Sequence, residues 1–200
     1  GTVLPASVAT GLDFTFNSVN IGKGANSVAG CTVLGENALD AAVTGGNNTA
    51  IGKDSLSANT SGNNNTALGT DALEINTTGA YNVAVGTNSL DTNTSGNNNV
   101  AIGYSSLDSS TTAANNTAVG FQSLLHNSTG TQNTAVGSNA LAANTTANDN
   151  TAVGYLALTA NTTGTFNTAI GSVVLDANTT GTRNSAGGYG SLSNLSTGTG

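Results

Sequence analysis

Positive charge is almost missing from this chain: 3 Lys and Arg residues stand against 10 Asp and Glu in 200 residues, a net of −7. Nucleic-acid binding needs clustered basic side chains to neutralise phosphates, so no nucleic-acid partner is expected. One Cys and one His exclude a disulfide framework and every Cys/His zinc pattern, and a single thiol leaves the redox compartment open. Met and Trp are absent, and only one Pro occurs. No run of about 18 apolar residues exists, so no membrane insertion is expected. The chain begins with neither Met nor a charged-then-apolar leader, and reads as a processed product or part of a longer one. Charge is too sparse for the usual solvated disorder, so the many Ser, Thr and Asn side chains must find partners inside a fold.

What is there is repetition. Asn recurs every 17 residues from Asn48 to Asn184, nine times without an insertion. Ala follows two positions later from Ala50 to Ala186, Gly from Gly52 to Gly188, and Leu from Leu56 to Leu192. The unit reads N-T-A-V-G-x-x-S-L-x-x-N-T-T-G-x-x. A tenth, weaker unit precedes these at Cys31-Thr32-Val33-Leu34-Gly35, with Leu39 and Gly45 in place and Cys31 in the Asn column. Asn17-Ser18-Val19-Asn20-Ile21-Gly22 and Asn26-Ser27-Val28-Ala29-Gly30 echo the motif at shorter spacing. The chain therefore divides into a connecting or capping segment (residues 1–16), short degenerate coils (17–30) and ten 17-residue repeats (31–200).

A helical reading fails, because each unit carries Gly in two columns and Asn and Thr are poor helix formers. Seventeen residues suit one coil with two short strands and two corners, so the expected class is all-β, a β-solenoid or β-roll. In the strand Asn133-Thr134-Ala135-Val136, alternation sends the Thr and Val columns one way and Ala the other. The Val column is apolar from Ile51 to Ile170 and fails only at Gly187. The all-Ala face implies close approach to another surface. A strand apolar on both faces is normally covered on both. One small coil has only one interior, so a second chain is expected over the other face. Gly137 and its equivalents predict positive φ at a corner, and Leu124 and its equivalents a coil interior. Stacked coils bring identical residues about 4.8 Å apart, which lets the Asn columns form amide ladders.

No enzyme motif emerges, and no cofactor or metal is implied. Gly46 to Ser55 only brushes against a phosphate-binding loop, with the wrong spacing before Gly52-Lys53 and Asp54 where Ser or Thr belongs. His126 has no fixed Ser or Cys partner, and Cys31 reads as a small buried filler. Glu74, Asp91 and Asp108 share a column in consecutive coils, where mutual repulsion raises carboxylate pKa values or recruits a cation; the simpler expectation is a solvated acidic edge. Tyr104, Phe121, Tyr155 and Tyr189 all follow the motif Gly, and are either a stripe that stacks on receptor sugars or a permissive corner column. Paired Thr columns such as Thr145-Thr146 and Thr162-Thr163 raise an ice-binding alternative, although neighbouring strand residues face opposite ways.

The strings Asn133-Thr134-Ala135-Val136-Gly137 and Asn161-Thr162-Thr163-Gly164 resemble repeats of bacteriophage tail fibres and related bacterial surface proteins. Asn17-Ser18-Val19-Asn20-Ile21-Gly22 is similar to the head repeats of trimeric autotransporter adhesins, left-handed β-rolls whose usual coil is shorter than 17 residues. The fibre-like resemblance covers about residues 31–200 and the adhesin-like one mainly 17–39. Together they imply a homotrimeric structural segment, in a virion or at a cell surface, which presents or contributes to binding of a glycan or protein receptor.

Overall fold

The computed structural model describes residues 14–41 and 43–199. Residues 1–13 of the connecting segment lie outside the described residues. Among the described residues, twelve strands form one sheet in sequence order. The first two, β1 (Phe14–Phe16) and β2 (Val19–Gly22), make an antiparallel hairpin. Its turn residues Asn17 and Ser18 have φ of 48° and 66°, the left-handed pair that a tight two-residue hairpin requires. β2 then pairs antiparallel with β3 (Thr32–Gly35). Between them, Ala25–Ser27 form a short 3-10 turn.

From β3 onward every pairing is parallel and advances by one repeat. The strands are β4 (Thr49–Ile51), β5 (Thr66–Leu68), β6 (Val83–Val85), β7 (Val100–Ile102), β8 (Thr117–Val119), β9 (Thr134–Val136), β10 (Thr151–Val153), β11 (Thr168–Ile170) and β12 (Ser185–Gly187). Thr134 sits beside Thr151, Ala135 beside Ala152 and Val136 beside Val153, and the other repeats follow the same register. The all-β solenoid of about nine 17-residue coils is thus built as the repeat predicts.

Each coil holds one strand, where two were expected. The other half of the coil curls through alternating left-handed residues: Gly137, Asn139 and Leu141 have φ of 136°, 57° and 52°. A strand cannot persist through such angles, yet the backbone stays paired between coils. Asn139 N–H donates to Phe121 O of the preceding coil (2.9 Å), and Leu141 N–H to Ala157 O of the following one (3.0 Å).

The core is a narrow column. Ala50 and its equivalents to Ala169 are fully buried, as is every repeat Leu from Leu39 to Leu175. The surface that the Ala face approaches is therefore the Leu column of its own coil, and the small Ala side chain leaves room for it. A left-handed Leu costs about 1–3 kcal/mol. Burying its side chain returns about 1.5–3 kcal/mol, and the inter-coil bond from its N–H adds to that balance.

Polar residues share the interior. Asn133 N–H and Nδ2 both donate to Asn116 Oδ1, at 2.9 and 3.2 Å, and Nδ2 also donates to Ala147 O at 2.8 Å. The same pattern recurs through the column, for instance between Asn150 and Asn167. A second column runs through Asn59, Asn76 and Asn93 and again from Asn127 to Asn178; Asn144 Nδ2 donates to Asn127 Oδ1 at 2.7 Å. Amides that would otherwise lie buried and unpaired are satisfied by their own copies one coil away.

Candidate functional site

The sheet's outer face carries the Thr column and the Val column. Register partners draw one apolar line down it, from Phe14 through Ile21, Leu34 and Ile51 and then at every seventeenth residue to Ile170. Leu34, Leu68, Ile102, Val136 and Ile170 are exposed along it, and the residues between them are half-buried. In the flanking columns of β4 to β11, Thr gives way only to Val83 and Val100.

The ring column lies one turn beyond this line, placed there by the corner glycines. Tyr104 and Phe121 are exposed and stack with centroids 5.6 Å apart and planes 12° apart. Tyr155 is separated from Phe121 by the coil that carries Ser138, and Tyr189 from Tyr155 by the coil that carries Ser172. Two coils span about 9.6 Å, beyond ring contact. The four residues therefore form one stacked pair and two single exposed rings. Tyr189, at 86% exposure, is the most open of them.

A second aromatic position sits at the other corner, immediately before the Asn column. Tyr81 and Phe166 occupy it with φ of 60° and 59°, and the guanidinium of Arg183 lies 5.7 Å from the Phe166 ring centre. The same column holds Asn47, Asn64, Asn98 and Asn115, so composition hides these rings; lining the sequence up on the 17-residue period brings them out.

The acidic column is partly sunk into the coil surface. Burial pushes the Asp91 carboxyl up to about 6, and the negative charges of Glu74 and Asp108 add to the shift. Glu74 and Asp108 are raised too, in both cases mainly by loss of water. The repulsion expected from spacing is present, and desolvation outweighs it. Among the described residues, no group of three or more His, Cys, Asp or Glu side chains is arranged to hold a metal ion.

The remaining singled-out residues are structural. Cys31 is buried, and its thiol points to Gly45 O at 3.8 Å, the role that Asn48 Nδ2 takes toward Gly62 O one coil on. Lys53 in the would-be phosphate loop pairs with Asp54, which also accepts from Asn37 Nδ2. His126 is exposed, and its backbone N–H donates to Ala142 O. No helix among the described residues is long and apolar enough to cross a membrane.

These features define the protein as a β-solenoid repeat protein. No family model matches the chain, and neither a curated protein nor a solved structure matches it.

Proposed function

We propose that this chain is a structural segment of a viral tail fibre: a rigid, non-enzymatic shaft of three copies that presents, or contributes to, host-receptor binding on the virion. The observation that carries the reading is the coil-to-coil strand pairing, which runs without a break from β3 to β12. Nine steps of 17 residues join β3 to β12 with one register and two asparagine columns. At about 4.8 Å per coil this makes a rod roughly 45 Å long. In such an array each coil contacts only its neighbours, so strength grows with length rather than with one globular core. The role is mechanical, and the exposed rings Tyr104, Phe121, Tyr155 and Tyr189 are the side chains suited to stack on a receptor glycan.

The test is location. Antibodies raised against the folded chain are applied, under the electron microscope, to virus particles and to bacterial cells from the same source. Label on the appendages of the particles supports the proposal. Label confined to the bacterial envelope replaces it with the adhesin-head reading.

A further inference from the structure

We infer that the apolar line from Phe14 to Ile170 is the face on which copies of this chain pack against one another, ridge to ridge and in parallel register. The inference rests on the shaft reading above and names the surface that would hold its copies together. Three observations carry it.

The first is size. Ten strand steps separate β1 from β11, and about 4.8 Å per step gives roughly 48 Å of length. From the Thr column to the Val column is two residues, or roughly 7 Å at about 3.3 Å each. The product, about 340 Å² per copy, is the size of the largest apolar patches on ordinary monomers, which are often functional.

The second is charge. The chain carries a net −7, which opposes association of identical copies. Neither the Thr column nor the Val column holds a charged residue between Thr32 and Gly187, so this face lets like-charged copies approach. The acids sit elsewhere: Asp91 and Asp108 directly follow the buried Leu90 and Leu107, on the turn side of the coil.

The third is period. Each copy presents apolar side chains at the same step, because each is a register partner of the next. Ridges of identical step interdigitate in parallel along their whole length, as in dry zippers between paired sheets. A partner of different sequence has no reason to share that step; another copy shares it by construction.

The full chain is examined by native mass spectrometry, as wild type, with Ile102→Lys and Val136→Lys together, and with Thr112→Lys and Thr129→Lys together as exposed controls off the sheet. The expected result is an oligomer for wild type and controls, and a folded single-chain mass for the ridge variant with its circular dichroism unchanged. An independent readout does not depend on how the lysines are tolerated: Val136→Cys should cross-link copies on mild oxidation, while Thr112→Cys should not. A wild-type oligomer that survives both lysines, and that Val136→Cys fails to cross-link, overturns this face as the contact and leaves the shaft reading standing. A folded wild-type monomer overturns both the contact and the three-copy assembly. Thermal hysteresis from such a monomer would assign the Thr and Val columns to ice instead.

Discussion

Ser110 stands in the second asparagine column one coil before Asn127, and its buried Oγ has no hydrogen-bond partner. On the other side of the gap, Asn93 Oδ1 accepts from Gly96 N–H at 3.1 Å, a contact within its own turn. Where an Asn follows in the column, the corresponding oxygen accepts from it, as Asn127 Oδ1 does from Asn144. The ladder is therefore interrupted in the middle of the rod.

Restoring the amide should repair it. Ser110→Asn places a donor toward Asn93 Oδ1 and an acceptor toward Asn127 Nδ2 on a backbone that already carries Asn at the same column position in neighbouring coils. One buried hydrogen bond contributes about 0.5–1.5 kcal/mol, and relief of an orphaned hydroxyl adds about 1 kcal/mol or more. The variant should melt higher, and amide exchange should slow around residues 107–116. Faster exchange there would show that the column is too crowded at this coil for a full amide.

Leu124 is the second test. Its side chain is fully buried and its backbone is left-handed, with φ of 51°. Leu124→Ala keeps the strained backbone and removes the burial that offsets it, which should cost about 2–5 kcal/mol. Leu124→Asp adds an unpaired buried charge and should melt the coil and loosen any assembly. Unchanged thermal melting of Leu124→Asp would mean that the Leu column does not hold the coils together.

The period of 17 made strands, ladders and interior leucines legible, because each is a column property that survives one-residue noise. The left-handed Leu at 39, 56, 73 and onward was not legible. Positive φ is read from Gly, Asn or Asp, and a bulky apolar residue gives no such signal. Here burial of the side chain imposes the angle, and that force exists only once coils are stacked. The absence of a second strand has the same origin. The acidic column was legible as a set of like charges, while the larger effect on it, loss of water, depends on how deep the turn sits. At the ring column the sequence showed the common position but not the stacking, which needs rings in adjacent coils and is met only by Tyr104 and Phe121.

Gly137 was expected at positive φ, and its φ is 136°. A Cβ there would also meet Gly154 O of the next coil. Both obstacles arise at the first side-chain carbon, so Gly137→Ala should be nearly as harmful as Gly137→Val, each costing about 3 kcal/mol. If Ala is tolerated and only Val is not, side-chain bulk rather than backbone angle governs this corner. Differential scanning calorimetry of the two variants separates these outcomes.

Asp91 makes the rod sensitive to pH. Its folded pKa, about 6, lies above the ordinary aspartate value of 3.8, so between these values the folded state holds the proton more tightly than the unfolded chain does. Stability contributed by this group is therefore full below about 3.8 and lost as pH rises through about 6. The half-exposed site and its screening by solvent keep the effect modest. Glu74 and Asp108, shifted in the same direction, act with it. Asp91→Asn removes the charge while keeping the shape, so the variant should melt higher than wild type at pH 7 and about equally at pH 4. Melting curves that remain parallel across this range would place the pH response in other carboxylates.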